Sequence, residues 1–245
     1  MDHTLVLLCL VIAGASLLKG MTSFGFSLMA FPILLNFYSP LILVPMLTLC
    51  NVLTSAQIVL TTKVKKKNTE KPNHWLLIAG VVGIVPGVLL LQTLDVDTLK
   101  VIVGVIFVLL SILFLSGFRF KIKHPIRAQI IAGTTAGFLG GALSVSGPPL
   151  VLFLTSMKFT NQQFRLHFAR FSVLTSSVAF IGYFLSGMIT GEVWKLFFIS
   201  FPILILGTIL GQKLSTKVSI RFFQVLCISI SLCAGIWSLI TGLQL

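Results

Sequence analysis

The sequence predicts an all-α polytopic membrane protein built from two inverted repeats of about 120 residues. Three observations predict it. The chain is 56% hydrophobic with a mean hydropathy of +1.08, and only 9% of its residues are charged, whereas a soluble domain carries about 25%. Its apolar residues fall into eight long hydrophobic blocks separated by short polar turns, which leaves no room for a soluble domain. The first and fifth blocks are also interrupted alike by Gly, Ser and Pro. Gly20 matches Gly137, Ser27 matches Ser144 and Pro32 matches Pro149, each pair 117 residues apart. A match at that distance is a duplicated unit, not a short-period repeat. It divides one integral membrane domain into a first repeat, 1–122, and a second, 123–245.

The elements follow in order. Block 5–35 is longer than the roughly 20 residues one span needs. Gly20 to Gly25 split it into two pieces, each short for a crossing. A broken helical hairpin is expected there, with one broken span as the alternative. Block 41–61 is a full span, followed by a lysine-rich loop, 63–71. Block 75–91 carries Gly83 and Gly87. Asp95 and Asp97 mark an acidic turn, and 99–118 spans again before the basic loop 119–127. The second half repeats this plan: a broken block at 126–157, a basic stretch at 158–170, a span at 171–188, and a turn at Glu192. A span at 193–210 carries Gly207 and Gly211, a basic loop follows at 213–221, and a last span runs over 222–243. Each repeat is thus a broken hairpin plus three transmembrane helices, about ten membrane segments in all. Leu53-Thr54-Ser55 also recurs as Leu174-Thr175-Ser176, 121 residues on.

Charge sets the orientation. If both broken blocks are hairpins, the four basic loops share one side and hold fifteen Lys or Arg. If each block crosses once, six of those charges move to the other side. The positive-inside rule selects the hairpins, which makes the repeats antiparallel and puts both termini outside. The formal net charge of +13 is therefore an orientation signal, and no nucleic-acid partner is expected. The start, MDHT, lacks the positive region of a cleaved signal peptide. The four cysteines lie in apolar runs without metal or disulfide spacing, and no cofactor is expected.

Chemistry is expected at the breaks. Irregular backbone at membrane depth is tolerated only where protein buries it or where it lines a wet cavity. Paired broken segments in two halves point to a transporter's binding site. Helix N-termini there offer N–H groups and a favourable dipole to an anion. Ser23, Ser27, Ser144 and Ser146 add hydroxyls, and Gly20, Gly25, Gly140 and Gly141 let backbone come close. Lys19 is the one ionisable residue well inside the first block. A charge at that depth costs at least about 2.5–3.5 kcal/mol, so it is a functional candidate, the alternative being a side chain that snorkels to the surface. Asn51, Thr54 and Thr175 either line a pathway or bridge helices. Arg165, His167 and Arg170 read first as a solvated loop, with Arg170 kept as a substrate contact. The spacings Gly83xxxGly87 and Gly207xxxGly211 read as packing devices. No Asp or Glu lies inside an apolar block, so a carboxylate relay for protons or sodium is unsupported. No catalytic constellation or nucleotide motif is present.

The breaks run from Ala13-Gly14 through Gly20 and Gly25 to Pro32, and from Ala132-Gly133 through Gly137, Gly140 and Gly141 to Pro149. In these motifs, its length and its duplicated unit, the chain resembles the sulfite exporter TauE/SafE family, also called the 4-toluene sulfonate uptake permease family. The first copy departs from the pattern, with Ser23 and Phe24 where the second has Gly140 and Gly141. The resemblance implies a transporter, working as an exporter, of sulfite, thiosulfate or organosulfonates. It implies a bacterial plasma (inner) membrane, with lipid and the small anion as partners. The site is expected where the two broken helices meet at the repeat interface. An anion channel with a fixed pore stays open as an alternative, and a membrane-embedded enzyme or assembly factor is a third.

Overall fold

The structure, a computed structural model, describes residues 3–62, 74–93, 96–115, 125–157 and 159–215, with a few isolated positions beyond. The last expected span, the lysine run at 63–71, most of the loop 119–127, Lys158 and the stretch 217–221 lie outside the described residues. Within them the chain is helical and has no strand.

Nine helices are described. The first broken block is α1 (His3–Thr22) and α2 (Phe26–Leu34). Then come α3 (Pro40–Thr61), α4 (His74–Thr93) and α5 (Val96–Leu115). The second broken block is α6 (Pro125–Leu143) and α7 (Gly147–Ser156). The last two are α8 (Asn161–Leu185) and α9 (Gly191–Leu214). Five of them, α1, α3, α4, α8 and α9, are long and apolar enough to cross a membrane. This corrects one expectation. The first piece of the first block is not short: α1 has 20 residues, about 30 Å at 1.5 Å per residue. Only α2, with 9 residues, and α7, with 10, are half-length. After α2 the chain comes back to where it began, because the Tyr38 hydroxyl donates to the Thr4 carbonyl at 3.5 Å.

A second correction concerns α8. It begins at Asn161, ten residues before the expected span. A reciprocal cap starts it there. Thr160 Oγ1 accepts from the Gln163 N–H at 3.3 Å, and Gln163 Oε1 accepts from the Thr160 N–H at 2.8 Å. That satisfies two backbone donors that a helix start leaves open. Arg165, His167 and Arg170 are therefore helical, not part of a loop.

Among the described residues the most extensive seams between the first half of the chain and the second are α4 with α6, α1 with α9, and α3 with α8; α9 also packs on α3, and α8 on α4. Glycine makes the first two close. A Cβ at Gly83 would strike the Thr134 carbonyl, and one at Gly137 would strike the Gly80 carbonyl. Across α1 and α9, a Cβ at Gly20 would meet the Thr208 carbonyl, and one at Gly211 the Leu17 carbonyl. Lipid gives apolar helices no hydrophobic reason to associate, so contact area and close backbone approach must hold them. Gly83, Gly87, Gly207 and Gly211 are packing devices, as read.

Polarity is arranged inside out. Ser16, Thr22, Asn51, Thr54, Ser172 and Thr208 are buried, whereas Leu60, Ile131, Leu185 and Leu206 are exposed. Side chains arranged this way suit an apolar solvent. They leave a polar interior between α3, α8 and the two breaks.

Candidate functional site

Each break is made by a residue in the left-handed region. Ser23 has φ 68° and Ser144 has φ 58°. Helices often end on such a residue, usually glycine, because a Cβ makes the conformation costly. A non-glycine residue held there stores on the order of 1–3 kcal/mol. Backbone bonds close each helix: the Ser23 N–H donates to Lys19 O at 2.7 Å, the Ser144 N–H to Gly140 O at 3.0 Å, and the Val145 N–H to Leu139 O at 3.2 Å. The two breaks are therefore 121 positions apart, not 117. The Thr54 and Thr175 match has the same 121 offset. A shift of four residues is close to one helical turn. It leaves each apolar face where it was, so periodicity alone cannot detect it. In the corrected register Lys19 matches Gly140, and Asn51 matches Ser172.

A small cavity lies between the breaks. Lys19, Gly25, Ser27, Asn51, Ser144 and Ser146 line it, with the rings of Phe24, Phe26 and Phe168 and the Ser172 side chain as further wall. Lys19 is 1% exposed. Its Nζ donates to Asn51 Oδ1 at 2.6 Å and to the Asn51 carbonyl at 3.3 Å. It also lies 5.7 Å from the centre of the Phe26 ring. The Asn51 amide then donates to Ser27 Oγ at 2.7 Å and to Ser144 Oγ at 3.0 Å. Ser27 and Ser144 bond each other at 3.3 Å. One network thus joins Lys19 to both breaks through α3. Among the described residues no carboxylate contacts Lys19, and Glu192 is exposed at the start of α9. A buried ammonium with only neutral partners leaves much of its charge uncompensated.

The two helix N-termini at the breaks are unequal. The expectation gave both of them backbone donors. Pro148 and Pro149 follow Gly147 in the first turn of α7 and carry no N–H. The first turn of α2 has no proline. Backbone donors are concentrated at α2, on the side of the cavity that holds Lys19.

Seven of the thirteen candidate residues stand outside the cavity lining. Gly20 and Gly141 lie in the helix seams, Gly141 against the Ile84 carbonyl of α4. Gly140 supplies the carbonyl that holds Ser144. Thr54 and Thr175 donate back to Cys50 O at 2.7 Å and Phe171 O at 2.8 Å in their own helices. Arg170 is exposed. Ser23 faces Arg165, the cation that does reach the first break. Arg165 donates to Ser23 Oγ at 3.1 Å, to Gly20 O at 2.8 Å and to Ser215 Oγ at 2.9 Å. It caps the C-terminal end of α1, where a cation also suits the helix dipole.

Sequence reasoning passed over Phe24, Phe26, Phe168 and Ser172. Phe24 packs on Phe164 and Phe168 with ring centres 6.4 and 5.9 Å apart. Ser172 could have been found as the match of Asn51 at 121, and Phe168 lies one turn before it on α8.

Five helices of membrane length around a buried polar cavity mark the class, an integral membrane protein with a polar interior. The family follows from comparison. The chain belongs to the sulfite exporter TauE/SafE family, whose pattern it matches over residues 7–238. No curated protein and no solved structure matches it significantly. The family is one of membrane transporters of the sulfite-exporter type, not one of enzymes.

Proposed function

We propose that this protein exports small sulfur-containing anions, such as sulfite or organosulfonates, and binds them in the cavity between the two breaks. The observation that carries the reading is Lys19. A buried cation with neutral partners, in a cavity between two interrupted helices, is a place for an anion to go. Asn51, Ser27, Ser144 and Ser146 are the donors for the anion's oxygens, and Gly25 lets the backbone at the start of α2 approach. Such hydrogen bonds hold an oxyanion without the grip of a second full charge, which lets a turnover site release its ligand. Ser23, Arg165, Gly20 and Gly141 act at one remove, by holding the breaks in place.

The wider architecture we propose is two inverted repeats, 1–122 and 123–245, in the plasma (inner) membrane with both termini outside. Three features support it. The first helix of each broken block ends at a serine in the left-handed conformation, the paired helices exchange between halves, and most basic residues collect at alternate connections between the apolar blocks. A cysteine engineered at Asn161 should resist labelling from outside intact cells, and ready labelling there overturns this orientation.

The direct test is flux in liposomes holding the purified protein, across sulfite, thiosulfate, sulfate and a sulfonate, with counterflow to separate a carrier from a fixed pore. Lys19→Gln should abolish most flux. The Ser27→Ala, Ser144→Ala double variant should weaken affinity by roughly 0.5–3 kcal/mol for each bond lost. Normal affinity and flux in both variants would place the site elsewhere.

A further inference from the structure

Among the described residues one ionisable cation, Lys19, lines the cavity, and that number limits what the cavity can take. Arg165 is committed to Gly20, Ser23 and Ser215, and Arg170 is exposed. At the position matching Lys19 in the second half the chain has Gly140. A lysine there would have made a two-charge site; glycine leaves the charge on one side only. The rest of the lining is neutral, and part of it is aromatic. An anion of single charge beside Lys19 is compensated. A second negative charge would stay buried without a partner, next to ring faces that are themselves electron-rich. Burial of an unpaired charge outweighs the modest gain from neutral hydroxyl and amide donors.

We propose that Lys19 makes the cavity selective for monovalent anions, alkyl- or arylsulfonates and hydrogensulfite, and against divalent sulfate, thiosulfate and the sulfite dianion. The proposal rests on the assignment of this cavity as the transport site. The walls fit the same class. A sulfonate can turn its oxygens to Lys19, Asn51 and the serines while its organic group meets Phe24 and Phe168.

Sulfate and methanesulfonate are close in size and geometry, so a comparison of the two isolates charge. In liposomes holding the purified full-length protein, methanesulfonate flux should exceed sulfate and thiosulfate flux by on the order of a hundredfold. The ratio of sulfite to methanesulfonate flux should fall as pH rises and the dianion replaces hydrogensulfite. Methanesulfonate, and not sulfate, should raise the unfolding temperature, a readout that needs no turnover. Ser146 is half-buried in the lining, and Ser146→Lys adds a second cation without touching Lys19. It should narrow the gap between methanesulfonate and sulfate by about tenfold or more. Sulfate or thiosulfate carried as fast as methanesulfonate overturns the charge selection and leaves anion transport standing. No flux and no stabilisation with any of these anions overturns the transport reading and this inference together.

Discussion

Asn51 stands between the charge and the hydroxyls, and its neutrality matters as much as its hydrogen bonds. Its Oδ1 lies 2.6 Å from Lys19 Nζ, while its Nδ2 reaches Ser27 and Ser144. Asn51→Asp keeps the shape and supplies Lys19 with a permanent counter-ion. The pair would neutralise the cavity and expel the anion from its place. We expect the variant to fold with an unchanged or higher unfolding temperature and to lose flux by about tenfold or more. Near-normal methanesulfonate flux in Asn51→Asp would show that the charge of Lys19 is not what draws the anion. The charged and hydroxyl members of this site were legible in the sequence, because a lysine, an asparagine and serines are conspicuous among apolar residues. The aromatic wall was not, since Phe24, Phe26 and Phe168 look like any of the 21 phenylalanines of the chain. Nor was the contact of Arg165 with Gly20. It spans 145 positions, and only the folded α8 brings the two together.

At the scale of elements, the seams between halves hold the breaks in register. Gly137 on α6 lies against the Gly80 carbonyl of α4, so a methyl group there must push two helices apart. Gly191, at the start of α9, has open space around it. Gly137→Ala should cost about 1–3 kcal/mol from overpacking, seen as a lower unfolding temperature in detergent and a lower yield. Gly191→Ala should change neither. Equal behaviour of the two would mean that α4 and α6 do not approach as closely as described. The same seams explain why Gly141, expected in the site, belongs to the frame: a large side chain there would separate α6 from α4 before it filled the cavity. Hydropathy revealed where helices run and roughly where they break, since both properties are local. It could not reveal that α1 keeps full length, because the turn that ends it depends on the conformation of Ser23. The early start of α8 was encoded in Thr160 and Gln163, but charge hid it: three basic or titratable residues in that turn made a helix look like a loop.

At the scale of the whole molecule, charge decides how a membrane potential acts on transport. Lys19 is 1% exposed and sits at the breaks, far from either end of α3. On the proposed reading Lys19 stays protonated, and the empty cavity carries one uncompensated positive charge. When a monovalent anion occupies it, the pair is close to neutral. The loaded protein can therefore reorient with little charge moving through the field. The empty return carries the charge of Lys19 back toward the inside, the direction a negative interior favours. On the proposed export of a monovalent anion, one negative charge leaves over a full cycle, a gain of about 2.3 kcal/mol per 100 mV. That gain can drive export without a coupling ion, in keeping with apolar blocks that hold no Asp or Glu. Two fluxes measured in the same liposomes separate these steps. Net efflux of methanesulfonate needs the empty return, so it should speed up when a potassium gradient with valinomycin makes the interior negative. Exchange of labelled for unlabelled methanesulfonate uses only the loaded step, so it should hardly respond to the same potential. Neither should need an imposed pH step. Exchange that follows voltage as steeply as net efflux would mean that the loaded cavity is charged, and that Lys19 does not neutralise its anion.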